Sequence, residues 1–222
     1  MVDIAHLSRA NAQRFAVAKI TRPNAFADAA KRLTSGEAKT HFQAAEAATG
    51  VPWYVIAVIK EREAGSDPNW RLNIAQGDPW SIRSIHVPRD RGPFPGWLEA
   101  ARDALVSCPP YAARWRDWST GGLLTLLEQY NGTGYAMRGL PSPYIWSGTD
   151  QYHSGKYVAD GVFRADVIDV QLGCAGLLLA MSQIDPTVHL SVALAGPADE
   201  QSQLIARLAP GLITTVAGVP LS

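Results

Sequence analysis

Two acids close a long apolar run. Residues Val51 to Gly65 read VPWYVIAVIKEREAG, with Glu61 and Glu63 near the end. A carboxyl group that keeps its proton near neutral pH is what a general acid requires, and apolar surroundings provide it. If the run is a helix, burial disfavours the anion and so does the negative end of the helix dipole, so both raise the pKa. Glu63 continues the stripe of Ile56 and Ile59, at i, i+3 and i+7, while Glu61 continues that of Tyr54, Ala57 and Val58. Spacing therefore leaves the choice between them open. It also leaves open that Lys60 to Glu63 are only the solvated end of a buried helix. Downstream, Asp78 is the best second carboxylate, with capping of the Gly77-Asp78-Pro79 turn as its alternative role. Asp67, followed by Pro68, is a weaker candidate.

The elements that must hold these groups are mainly helical. Gly50 suits a left-handed helix end and Pro52 the first turn of the next helix, and Trp53 to Ile59 is apolar on every side. Residues 1–33 read as helical, interrupted at Pro23-Asn24. Thr34 and Glu37 form a capping-box pair for a helix from about Ser35 to Thr49 with Ala38, Phe42 and Ala45 buried. Residues 66–96 are turn-rich and are expected to form one wall of a cleft. Trp97 to Val106 is a short amphipathic helix, after which Tyr111, Trp115 and Trp118 are spaced as a core-facing stripe. Ser119 or Thr120 caps a helix through Leu127 and Glu128, and Gly132 ends it, which places Tyr130 and Asn131. Glu128 reads equally as a surface charge or a cleft residue. Pro141 to Phe163 is dense in rings, with Tyr144 and Trp146 expected nearest a ligand. Val167 to Ile184 reads as a second apolar helix, whose Gly173, Ala175 and Gly176 would let it approach the Glu63 helix closely.

These segments resemble a known family. The end of the apolar helix, Ile59-Lys60-Glu61-Arg62-Glu63-Ala64, is similar to the catalytic helix of goose-type lysozymes and soluble lytic transglycosylases. Tyr130-Asn131-Gly132-Thr133-Gly134-Tyr135 is similar to the Tyr-Asn-Ala-Gly-x-Gly segment that lines their sugar cleft. Leu72-Asn73, Gly77-Asp78-Pro79 and Ser142-Pro143-Tyr144-Ile145-Trp146 look like a phage-endolysin-like branch of that superfamily. Each motif is short, and it is their order and spacing over roughly residues 35–185 that make the combination specific. One departure stands out: Gly77-Asp78-Pro79-Trp80 occupies the region where a Gly-Leu-Met-Gln segment is usual.

The resemblance selects Glu63 as the acid. It implies a mainly α, lysozyme-like helical domain with irregular cleft-forming loops, cleaving the β-1,4 link between N-acetylmuramic acid and N-acetylglucosamine. Asp78 would orient or activate a water across the sugar ring, and Tyr130, Asn131, Tyr144 and Trp146 would bind substrate. Asn131 suits an acetamido group, and Tyr130 suits the Glu63 carboxyl or a sugar ring. Without a suitable second acid, the sugar's own 6-hydroxyl or acetamido group would complete a lytic-transglycosylase reaction. The expected organisation is an N-terminal helical segment at 1–34, the catalytic domain at 35–185 and a tail at 186–222.

The totals exclude several classes. At 47% apolar and 18% charged, the composition is that of a folded globular chain. Twenty basic and twenty acidic residues cancel, with no Lys/Arg block, so no nucleic-acid partner is expected. Asp150, His153 and Asp160 match no ligand spacing, so neither metal nor cofactor is expected. The partner expected is the peptidoglycan glycan strand, met by a monomer that does not insert stably in a membrane. Met1 to Ile20 is studded with charges and lacks a signal peptide's apolar stretch, so synthesis in the cytoplasm and delivery to the wall by another component are expected. Two rivals remain: a non-catalytic wall-binding or virion protein on the same fold, and a peptidase using Cys174 with His153, disfavoured because Cys174 lies in an apolar run.

Overall fold

The computed structural model describes residues 2–191, and the fold is mainly α. Among them are nine α-helices and one two-stranded antiparallel hairpin. The first helix, α1 (Ile4–Val17), is capped by Asp3, whose carboxylate accepts the His6 amide at 3.0 Å. Pro23 opens α2 (Pro23–Leu33) rather than merely breaking a run, since its fixed φ suits a first turn. α3 (Gly36–Thr49) is capped by Ser35, not Thr34: Ser35 accepts from the Ala38 amide, while Thr34 turns back to donate to the Ala30 carbonyl. Gly50 ends α3 in the left-handed conformation, with φ 73°.

The centre of the core is α4 (Trp53–Ala64), buried at every residue from Trp53 through Lys60. The turn that follows it is held by one of its own side chains. Lys60 curls round so that its Nζ donates at 2.9 Å to the carbonyls of both Gly65 and Asp67. A cation at that end also suits the helix dipole. Around α4 pack α3 and then α5 (Trp97–Val106) on one side, and α9 (Cys174–Ser182) on another. α1 packs along α6 (Thr120–Asn131), and α2 along α9. Short helices α7 (Gly134–Met137) and α8 (Pro143–Trp146) follow α6, and the hairpin of β1 (Lys156–Ala159) and β2 (Val162–Arg164) precedes α9.

Several expectations are corrected. Phe15, Phe26, Ala29, Ala30 and Leu33 belong to the same core as α4, so residues 1–34 are not a separate segment. The domain also runs past 185: the Tyr54 hydroxyl donates to the His189 carbonyl and Thr120 to that of Ser191. Residues 192–222, including the patch at Leu204 to Leu208, lie outside the described residues. Only Trp115 and Trp118 of the expected stripe pack on the core, because the chain there forms one 3-10 turn and Tyr111 is exposed. Finally, α9 begins at Cys174, not Val167. The Asp169 carboxylate accepts the Gln171 amide, a local turn that competes with helix. Among the described residues no helix is long and apolar enough to cross a membrane.

The small residues of α9 serve neighbours other than α4. A Cβ on Gly173 would lie 2.5 Å from the Ile145 carbonyl oxygen, and one on Gly176 would lie 2.4 Å from the Phe26 ring. Phe26 is fully buried and has nowhere to go. Gly176→Ala is therefore expected to cost about 1–3 kcal/mol by overpacking. Thermal unfolding should record this as a drop of several degrees.

Candidate functional site

The last turn of α4 opens into a cleft of about 570 Å³. Its lining comes from Arg62 and Glu63 on α4, Asn131 to Met137 after α6, Pro143 and Tyr144 on α8, the hairpin, and Asp169 and Gln171 before α9. None of it comes from residues 66–130, so the turn-rich stretch is not the wall expected of it. The hairpin takes that place. Asp160-Gly161 makes its two-residue turn between paired Ala159 and Val162, with Gly161 at φ 70°. Such a dipeptide between alternating residues is a strong hairpin signal, and it stood in the sequence.

The hairpin is tied to α7 by rings and one polar bond. The Tyr157 amide donates to the Tyr135 hydroxyl at 2.9 Å, and the rings of Tyr135, Tyr157 and Phe163 meet edge to face. Gly134 sits against the Tyr157 ring, where an added Cβ would come within 3.2 Å.

At the floor of the cleft, the Tyr144 hydroxyl donates to Glu63 Oε1 at 2.8 Å. Burial raises the Glu63 pKa to about 7, against the opposing effects of the Tyr144 hydrogen bond and the Arg62 charge. Arg62 is itself engaged. Its guanidinium pairs with the buried Asp169 at 3.1 Å and lies over the Tyr144 ring, 4.7 Å from the centroid. Lys156 of the hairpin reaches the same carboxylate at 3.2 Å. Burial raises the Asp169 pKa, but the Arg62 charge and hydrogen bond, the Gln171 amide and Lys156 outweigh it and hold the group below the usual carboxylate range. One cleft thus holds two carboxyl groups whose pKa values are pushed in opposite directions.

The expected site residues divide. Glu63, Asn131 and Tyr144 share the cleft. Asn131 stands at the exposed end of α6, and its side-chain amide has no hydrogen bond among the described residues. Tyr130 does not line the cleft: its hydroxyl donates to the Ile74 carbonyl at 3.0 Å, and Tyr144 takes the role of holding Glu63. Trp146 is 1% exposed and part of the core, on the face of α8 away from solvent. Asp78 is also buried and off the cleft. Its oxygens accept the amides of Ile85 and His86 at 2.9 and 3.0 Å and contact His86 Nδ1 at 2.6 Å. Burial raises its pKa, but these His86 and Ile85 contacts prevail and lower it. Asp78 is a loop organiser.

Sequence reasoning missed Asp169, Lys156, Gln171 and Tyr135 as cleft residues. Asp169 and Gln171 were concealed inside what reads as a continuous apolar helix. Glu128 is neither surface charge nor cleft residue: it is 2% exposed, and burial raises its pKa to about 8. Cys174 is fully buried with its thiol pKa pushed far up by burial, while His153 is exposed, so they form no nucleophilic pair. Among the described residues no group of three or more His, Cys, Asp or Glu could hold a metal ion.

Compared with protein-family models, with curated proteins and with solved structures, the chain matches none of them.

Two measurements follow from the Glu63 environment. The Tyr144 hydrogen bond favours the anion, so Tyr144→Phe is expected to move the Glu63 titration above about 7, read from the carboxyl carbon by NMR. The folded-state pKa also lies above the ordinary 4.5, so between those values the folded state binds more protons than the unfolded one, and stability falls as pH rises. That loss is on the order of 3 kcal/mol. Glu63→Gln is expected to remove it, melting at a higher temperature than the wild type at pH 8 but not at pH 4.

Proposed function

We propose that the chain is a peptidoglycan-degrading glycosidase with Glu63 as its general acid. One observation carries the reading: a carboxyl group still half protonated at about pH 7 sits at the floor of an open cleft, oriented by the Tyr144 hydroxyl. In this reading Glu63 donates its proton to the oxygen bridging N-acetylmuramic acid and N-acetylglucosamine as the bond breaks. Tyr144 fixes which oxygen carries that proton, because its own hydroxyl occupies Oε1 and leaves Oε2 for the sugar. Asn131 offers an amide to an acetamido group. Tyr135, Tyr157 and Met137 offer apolar faces to the rings.

The set of carboxylates bears on how the reaction ends. Asp78 is saturated by the Ile85 and His86 contacts, and Asp169 is shared by Arg62 and Lys156. Neither is free to activate water. The remaining acid on the lining is Asp160, at the exposed hairpin tip. This favours the lytic-transglycosylase branch, in which the muramic acid 6-hydroxyl attacks its own anomeric carbon, over a hydrolase using Asp78.

Purified protein incubated with peptidoglycan is expected to release 1,6-anhydro products, identified by mass spectrometry. Glu63→Gln is expected to lower the rate by about 10²–10⁴. The wild-type rate should fall as pH rises through about 7, where the acid loses its proton. Full activity in the glutamine variant would overturn the reading. Binding to the wall without any cleavage would support the non-catalytic wall-binding alternative instead.

A further inference from the structure

A second surface stands away from the cleft. The loop Ile82–Asp90 exposes three branched aliphatics: Ile82 at 50%, Ile85 at 66% and Val87 at 78%. Val87 is the most exposed large apolar side chain among the described residues. The exposure is not that of a loose loop. From inside, buried Ser84 exchanges backbone bonds with Arg91 and Asp90, and its hydroxyl donates to the Pro88 carbonyl at 2.7 Å. Asp78 grips the Ile85 and His86 amides, and Arg91 forks onto Asp103 on α5. The backbone is held so that the aliphatics face water.

Interleaved with them are Arg83 and Arg89, both exposed, with no ion pair or side-chain hydrogen bond among the described residues. Asp90 is the one exposed acid in the loop. Two free guanidiniums against one carboxylate give a local positive surplus on a chain whose formal net charge is zero.

We infer that this loop docks the protein reversibly on an anionic lipid surface. A purely anionic ligand would use the arginines and leave the aliphatics wet. A purely apolar partner would bury two guanidiniums without counter-charge, which is costly. A bilayer leaflet with anionic headgroups takes the aliphatics below the headgroup level and pairs the arginines at it. With only three aliphatics the attachment is salt-sensitive and peripheral, not an insertion. It would hold a wall-directed enzyme beside the membrane while leaving the cleft free, since no residue of 82–90 lines that cleft.

The test is co-sedimentation of the full chain with vesicles, either phosphatidylcholine alone or mixed equally with phosphatidylglycerol. Binding is expected to the mixed vesicles at low salt, with loss on adding salt. Each of Arg83→Ala and Arg89→Ala should weaken it about fivefold. The double variant Ile85→Asp with Val87→Asp should abolish it while melting like the wild type, because both side chains are exposed. No binding to mixed vesicles would overturn the inference, as would equal binding to both vesicle types or undiminished binding by the folded double variant. Light scattering that shows a dimer broken by the double variant would also overturn it, making a second copy the occupant. Glu63→Gln should bind vesicles as the wild type does, so the outcome is independent of the proposed catalysis.

Discussion

The candidate site turns on one half-buried carboxyl group whose surroundings favour its protonated form. Glu63 stands at the end of a helix with no solvated face along its first two turns, and its surroundings do too little for the anion to win. Tyr144 and Arg62 both favour ionisation, but burial prevails. Arg62 is also paired with Asp169, which links the floor of the cleft to the turn before α9; a buried pair of this kind is weak evidence for stability.

The same logic explains why two carboxyl groups in one cleft behave oppositely. Asp169 receives Arg62, Lys156 and the Gln171 amide, while Glu63 receives one phenolic hydroxyl. Asp169 is buried and Glu63 half-buried, and the number and charge of donors set them apart. Each donor to Asp169 comes from a different element: α4, β1 and the turn before α9. The carboxylate is therefore a joint between the floor of the cleft and its hairpin wall.

Much of this was legible in the sequence, and the failures share a cause. The all-round apolar run, Gly50 and the Ser119 cap locate α4 and α6, because these signals act within a few residues of the groups they satisfy. Spacing along α4 left Glu61 and Glu63 open, and only the family resemblance chose Glu63. Partners were harder. Tyr130 and Tyr144 are equally good donors on paper, and only the packing of α8 against α6 sends one to Ile74 and the other to Glu63. Trp146 was expected beside a ligand for its ring alone, yet all four residues of α8 are buried and its indole belongs to the core. Asp78 was expected in the cleft and organises a loop instead, while Asp169 went unnoticed, for the same reason. A turn-capping acid and a cleft acid differ by what surrounds them, not by their neighbours in the chain.

The hairpin wall has one further consequence. Its rings, Tyr157 and Phe163, lie outside the main core, and it is tied to the rest by the Tyr157 amide bond to Tyr135, the Lys156 pair, Arg138, which donates to the Tyr157 hydroxyl and lies over both rings, a bond from the adjoining Gly155 to Val167 and a cluster of aromatic edges. An element so attached opens at lower free energy than the helices around it. A trough with one yielding bank can widen while its helical floor stays in place.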